Sequence, residues 1–233
     1  MKRLLTPPLA MLLIAGFASL ALAPGSASAA GPTVISGSSS NASASFFSDV
    51  NGVQTSTFVY ANDNTFSDLN GTFEGSDVFV DIFQFDPGNP NNPRDDQSQY
   101  FSGFASLAPD QFVMNGDLGS ATLSAVVSVC EFTGKKAAAS PPPSEPNCFD
   151  VTIDLTWDGT GTVATSSGRS NSRFDGCRIQ SSFSNSYRSA VASGVVSDGT
   201  TDFAPNPADY GDLSTYRFQD KLSGDCFFPE PPK

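Results

Sequence analysis

Two runs of alternating apolar and polar residues constrain this fold more than any other feature of the sequence. Residues 121–129 are Ala-Thr-Leu-Ser-Ala-Val-Val-Ser-Val, and residues 149–157 are Phe-Asp-Val-Thr-Ile-Asp-Leu-Thr-Trp. Successive side chains of a strand point to opposite faces, so this period of two predicts strands with one buried and one solvated face. Beyond residue 29, no long segment has the period of a helix.

Turn signals divide much of the remaining chain into similar short runs. Six Asn-Gly or Asp-Gly pairs, beginning at residues 51, 70, 115, 158, 175 and 198, suit turns that need a positive φ. The pair at 51 lies between two strand-like runs and predicts a hairpin. Further candidate strands are 77–85, 98–107, 111–115, 119–130, 148–157, 160–165, 177–187, 189–197 and 213–219. This spacing predicts an all-β antiparallel domain of about ten strands, a β-sandwich with a β-barrel as the alternative.

The first 29 residues have the pattern of a secretory signal peptide. A basic start at 1–3 is followed by an apolar run over 4–22 and by Ala27-Ser28-Ala29, which predicts cleavage after Ala29. A retained anchor is the weaker alternative, since a bilayer needs about 20 consecutive apolar residues and Pro7 and Pro8 interrupt this run. The Ser-, Gly- and Asp-rich composition is similar to that of exported bacterial β-proteins. We expect a secreted or periplasmic protein with no stable membrane anchor.

Export places the four cysteines in an oxidising compartment, where they predict two disulfides. Cys130 ends one alternating run and Cys148 begins the next, so antiparallel pairing of these strands brings the two within disulfide range. Cys177 and Cys226 are then paired by elimination. A metal site is the weaker alternative, because the chain has neither a C-x-x-C pair nor a histidine.

Composition predicts how the rest of the chain is organised. We expect a flexible Gly/Ser-rich leader at 30–41, a single all-β domain at 42–226 and a proline-rich tail at 227–233. Mobile loops are predicted at 87–96 and 134–147, which are polar and rich in proline.

Charge and histidine content restrict the function. The formal net charge of −12 argues against nucleic acid, whose phosphates require clustered Lys and Arg. Arg169, Arg173, Arg178 and Arg188 lie within twenty residues, and we interpret them as solvated edge or loop charges, with a local basic patch as the alternative. The absence of histidine excludes Ser-His-Asp and Cys-His catalysis and His-ligated zinc.

The candidate binding site is an aromatic stripe. If Val78 and its alternate neighbours point inward, then Phe79, Phe83 and Phe85 form an outward stripe that can stack on sugar rings or contact a partner. We favour the alternative of a strand covered on both faces, because Phe lacks the polar group of Tyr or Trp.

Carboxylates do not form a convincing catalytic pair in the sequence. Asp150 and Asp154 share a face but lie about 13 Å apart along a strand, beyond the roughly 5–9.5 Å that glycoside hydrolysis requires. We predict no catalytic, cofactor-binding or metal-binding residue.

These observations favour an exported, non-catalytic β-domain that binds an extracellular partner or glycan. One alternative is a carboxylate-dependent polysaccharide hydrolase whose acidic pair is assembled across strands. A second is a secreted enzyme inhibitor that presents the disulfide-clamped loop.

Overall fold

The computed structural model describes residues 32–50, 52–85, 98–132, 147–204, 207–224 and 226. The predicted signal peptide at 1–29, the loops at 87–96 and 134–146, and the tail at 227–233 lie outside these residues.

The described chain is all-β and antiparallel, as the sequence predicts, and has ten strands and no helix. Within the described residues there is therefore no helix able to cross a membrane. The strands are β1 (Thr33–Val50), β2 (Val53–Asp68), β3 (Gly71–Phe85), β4 (Gln99–Leu107), β5 (Phe112–Met114), β6 (Ser120–Glu131), β7 (Cys148–Gly159), β8 (Ala164–Phe174), β9 (Cys177–Ser197) and β10 (Tyr210–Gly224).

All ten strands belong to one hydrogen-bonded sheet that closes into a ring. The order β10-β1-β2-β3-β4-β6-β7-β9 is completed by pairing of β9 with β10, while β8 extends the sheet beside β9 and β5 pairs with β6. The predicted hairpin at 51–52 is confirmed by the β1–β2 register, in which Val50 is opposite Val53. Gly52 has a φ of +85° there, which a glycine adopts without steric cost.

The hydrophobic core lies inside the ring and is built from alternate residues of its strands. Trp157 is fully buried, and its indole Nε1 donates a 2.7 Å hydrogen bond to the carbonyl oxygen of Ser43. The other large, fully buried side chains are Phe46, Val59, Val78, Val80, Ile82, Leu118, Leu123, Val127, Ile153, Leu155 and Leu213.

The longest strands extend beyond this core, so the molecule has two halves. In the core half, β4, β6 and β7 complete the ring around the buried side chains. The open half comprises residues 33–41, 62–68, 71–77, 164–174, 177–189 and 214–224, which pair as a six-stranded sheet in the order β3-β2-β1-β10-β9-β8. Strand β8 is the edge of the sheet on one side of this half.

The prediction of a flexible leader at 30–41 is wrong for residues 33–41, which the structure places in a strand. Residues 33–41 form the first half of β1 and pair with β2 on one side and with β10 on the other. Small Gly and Ser side chains are typical of linkers, but here the backbone hydrogen bonds of two neighbouring strands hold them in the sheet.

Two other strand predictions need correction. The strand predicted at 160–165 lies instead at Ala164–Phe174, and those predicted at 177–187 and 189–197 are one continuous strand. Strand β8 is exposed on both faces along most of its length, so it has no apolar alternation from which to predict it.

Both predicted disulfides are confirmed. Cys130 and Cys148 have Cα atoms 4.1 Å apart, and those of Cys177 and Cys226 are 4.5 Å apart. The first bridge joins β6 to β7 in the core half, and the second lies at the far end of the open half. Two disulfides are characteristic of an oxidising, extracellular type of environment.

Candidate binding site

The inner face of the open half borders an open cavity of about 800 Å³, which we call the trough. Thr65 of β2 and Ser167 of β8 both line it, although three strands separate β2 from β8. Neighbouring strands lie about 4.8 Å apart, so these residues would be roughly 19 Å apart in a flat sheet. The sheet is therefore curled around the cavity.

Hydroxyl, amide and guanidinium groups line much of the trough. The equivalent inner positions of the core half have apolar side chains. Along the inner face of β1, Ser36 and Ser38 precede the fully buried Ala42 and Ala44 at the same alternating positions. The polar side chains lining the trough are Ser36, Ser38, Thr65, Ser67, Ser167, Arg169, Ser182, Ser184, Arg217 and Gln219. Because such groups form hydrogen bonds with water or a ligand, this half can enclose solvent-accessible space without an apolar filling.

Every Lys and Arg that the structure describes lies on β8, β9 or β10, and all six occupy inner positions of their strands. Arg169 is opposite Ser182, which is opposite Gln219, and Arg217 is opposite Ser184. Directly opposed residues of a sheet share a face, so the register fixes this orientation. The six are Arg169, Arg173, Arg178, Arg188, Arg217 and Lys221. Arg169 and Arg173 are exposed on the edge strand β8, which agrees with their interpretation as solvated edge or loop charges, and the shared inner face of the six cations agrees with the local basic patch given as the alternative.

Carboxylates are absent from the inner positions of the described part of β8, β9, β10 and β1. The acids of β10, Asp212 and Asp220, are at outer positions. The inner acids of the open half are Asp63 on β2 and Glu74 on β3, across the curled sheet from the arginines. Arg169 and Arg217 line the trough, whereas Asp63 and Glu74 do not, so the charged lining of the trough is cationic.

The six cations make few contacts with the described residues. Arg178 Nε donates to Asn171 Oδ1 at 3.1 Å, and Arg188, at the core end, donates to the carbonyl oxygen of Leu118 at 3.3 Å. Arg188 Nε is buried without a hydrogen-bond partner among the described residues. Arg169 and Arg217 are exposed and have no hydrogen-bonding or ionic partner in the described part of the chain.

Aromatic rings cover the other side of the same sheet. Phe66, Gly37, Phe218, Phe183 and Gly168 are successive cross-strand neighbours on the outer face from β2 to β8. The rings of Phe218 and Phe183 lie over Gly37 and Gly168, where a Cβ atom would overlap them. Such aromatic covering of glycines supports a thin sheet that has no core on its inner side.

The predicted aromatic stripe lies on the outer face of the core half, away from the trough. Phe83 and Phe85 are 42% and 38% exposed, and Phe79 is half-buried beside Phe104, which is 62% exposed. Val78 points inward and is fully buried, as the alternation requires. The favoured interpretation of a strand covered on both faces is therefore wrong for the described structure.

Two carboxyl groups on the outer face have perturbed protonation, but they do not form a pair. Burial raises the pKa of Asp212, which accepts a 2.7 Å hydrogen bond from Ser43 Oγ, and burial also raises the pKa of Asp77. Tyr60 lies on β2, one of the two strands between them, and its pKa is raised to about 12 by burial and by these two acids. Three strand spacings separate Asp77 from Asp212, roughly 14 Å, beyond the roughly 5–9.5 Å of glycosidase pairs.

The remaining predicted site residues give no alternative centre. Asp150 and Asp154 are exposed on the outer face of β7. The loop at 134–146, on which the inhibitor hypothesis depends, lies outside the described residues.

Sequence reasoning missed the trough because its residues are individually ordinary. A signal exists in retrospect: Arg169-x-Asn171-x-Arg173 and Arg217-x-Gln219-x-Lys221 both place a cation, an amide and a cation on one face of a strand. Comparison with protein-family models gives no match, and comparison with curated proteins gives no significant match.

Proposed function

We propose that this protein is an exported, non-catalytic binding protein that holds an extracellular glycan in the trough. The observation that carries the proposal is the change of lining along continuous strands. The space that apolar side chains fill in the core half is lined in the open half by hydroxyl, amide and guanidinium groups around about 800 Å³.

The chemistry of this lining fits a sugar chain. Glycans present many hydroxyl groups, which must exchange hydrogen bonds with water for hydrogen bonds with the protein. Ser, Asn, Gln and Arg side chains supply donors on several neighbouring strands, and the ones lining the trough are largely uncommitted to other described side chains. An open trough also admits a polymer, whereas a closed pocket admits only its end.

Export is part of the proposal because the signal-like pattern at 1–29 and the two disulfides both support it. The separation of Asp77 and Asp212 favours binding over carboxylate-dependent hydrolysis.

The test is a glycan array probed with the chain lacking residues 1–29, followed by calorimetry on the ligands that bind. Ser167→Trp places a large ring in the trough, and Ser166→Trp, its neighbour on the opposite face of β8, is the matched control. We expect Ser167→Trp to weaken binding at least about tenfold and Ser166→Trp to retain it. Equal losses in both variants, or no glycan bound by the parent protein, would contradict the proposal.

The exposed aromatic stripe gives the same experiment a second arm. Phe83→Ala removes an exposed ring of the stripe without touching the trough. If Phe83→Ala abolishes glycan binding and Ser167→Trp does not, the stripe is the site and the trough proposal is wrong.

A further inference from the structure

We infer that the ligand of the trough is anionic, specifically an acidic glycan whose carboxylate or sulfate groups are separated by neutral sugar units. This inference rests on the proposed function, since it names the class of glycan that the trough binds. Its basis is the segregation of charge. In a chain of net charge −12, all six described cations are on inner positions of three adjacent strands.

The arrangement of the arginines is unfavourable unless an anion is present. Arg173 and Arg178 are directly opposite each other on β8 and β9, on the same face as Arg169 but further along the strands than the residues that line the trough. Like charges at directly opposed positions of a sheet repel each other. An oxyanion bound between two guanidinium groups would replace that repulsion with charge-assisted hydrogen bonds, and the planar guanidinium suits such bidentate contacts.

The spacing of the cations fits a ligand with separated charges. Arg169 and Arg173 share the inner face of β8 with Asn171 between them, and Arg217 and Lys221 share that of β10 with Gln219 between them. Alternate residues of a strand lie about 6.8 Å apart, so the two cations of each strand lie about 13 Å apart with an amide midway. The amide between the two cations of each strand can form hydrogen bonds with a neutral, hydroxyl-rich sugar unit that lies between two charged units of the glycan.

The same face is poorly suited to nucleic acid. Each strand of a double helix carries a phosphate about every 3.4 Å of the helix axis, and proteins that bind single strands usually stack aromatic side chains on the bases. No aromatic residue occupies an inner position of the open half among the described residues; Phe183 and Phe218 border the trough but alternate onto the outer face, where their rings lie over glycines. The overall negative charge also repels a densely charged polymer more than a sparsely charged one.

The test measures calorimetric affinities of the chain lacking residues 1–29 for four probes. Hyaluronan and unsulfated chondroitin oligosaccharides, whose carboxylates alternate with neutral units, are the acidic glycans, a chitin oligosaccharide is the neutral glycan, and oligo-dT represents nucleic acid. We expect at least one acidic glycan to bind, more weakly as salt concentration rises, and more tightly than the chitin oligosaccharide or oligo-dT.

Variants assign the binding to the trough. Each charge-assisted hydrogen bond lost should weaken affinity about tenfold, so Arg169→Gln/Arg217→Gln should lose about 100-fold. Arg217→Lys, which keeps the charge, should lose less than Arg217→Gln. Asp220→Asn on the outer face of β10 is the control: it changes the net charge but not the trough, and should alter affinity little.

The outcomes separate the two proposals. Binding of the chitin oligosaccharide as tight as that of the acidic ones would overturn the anionic inference and leave the glycan-binding function standing. Preferential binding of oligo-dT would replace the glycan with nucleic acid. If no probe and no arrayed glycan binds, the proposed function itself fails.

Discussion

The core half and the open half share β1, β2, β3, β9 and β10, yet they differ in what their inner faces enclose. On β1, Phe46 and Ala44 pack in the core, whereas Ser38 and Ser36, at equivalent alternating positions, face the trough. The backbone hydrogen bonds continue through both halves without interruption. One continuous sheet can therefore surround a hydrophobic core at one end and a candidate ligand site at the other. The side chains on its inner face determine whether the enclosed space is packed or open.

The two halves also differ in what stabilises them. Burial of apolar surface stabilises the core half, at roughly 25 cal/mol per Å² removed from water. The open half has little such burial, and instead has cross-strand backbone hydrogen bonds, the rings of Phe183 and Phe218 over glycines, and the Cys177–Cys226 bridge at its far end. We therefore expect the open half to be the first to lose structure.

The largest effect is expected in the core half. Trp157→Ala removes a fully buried ring and leaves the carbonyl of Ser43 without its donor, so it should lower the free energy of unfolding by about 3–5 kcal/mol. Chemical denaturation measures this loss. Thr156→Ala, on the solvated face of the same strand, is the control and should change stability little; similar losses in both would contradict the assignment of the core.

Removing each disulfide in turn tests whether the two halves are separate units of stability. The Cys177–Cys226 bridge spans 49 residues and should contribute about 4 kcal/mol, against about 3 kcal/mol for Cys130–Cys148, which spans 18. In Cys177→Ser/Cys226→Ser, amide exchange should accelerate mainly in the open half, and glycan binding should fall. Cys130→Ser/Cys148→Ser should leave binding largely intact. Faster exchange spread evenly over both halves in either variant would show that the halves are not separate units of stability.

Replacing a glycine that lies under an aromatic ring should destabilise the fold more than replacing a glycine with open space beside it. In Gly37→Ala the new Cβ overlaps the ring of Phe218, which should cost about 1–3 kcal/mol as measured by denaturation. Gly75→Ala, also in the open half, meets no atom within 4 Å and should be neutral or slightly stabilising. Adding Phe218→Ala to Gly37→Ala should recover part of the loss if overlap with the ring is its cause.

The smallest effect concerns protonation at the boundary between the halves. Burial raises the pKa of Asp212 in the folded protein, so its ionisation above that pKa destabilises the fold relative to the unfolded chain. Asp212→Asn should therefore raise the melting temperature at neutral pH, and this gain should shrink as pH falls toward about 3, where the carboxyl is protonated in both states. A gain that does not change with pH would contradict this explanation.

The sequence predicts the core half much better than the open half. Strands β6 and β7 have one buried and one solvated face, so alternation revealed both strands, their pairing and the Cys130–Cys148 bridge. In most of β8 and in residues 36–41 of β1 both faces are polar or small, and the pattern carries no signal of burial. Residues 33–41 have the composition of a linker, yet they form a strand that pairs with β10 on one side and with β2 on the other.

The trough was less predictable because it depends on register between distant strands. Arg169 and Arg217 are 48 positions apart in the chain, and pairing of β8, β9 and β10 brings them to one face. Phe83 and Phe85, in contrast, were placed correctly on an outer face, because the alternation within a single strand is sufficient for that.

Amide chemical-shift mapping with the tightest-binding acidic oligosaccharide distinguishes binding in the trough from binding at the aromatic stripe. If the trough holds the glycan, the largest ligand-induced shifts lie in the open half on β8, β9 and β10, around Arg169, Ser184 and Arg217. Shifts centred on Phe79, Phe83 and Phe85, with the open half unchanged, would contradict it.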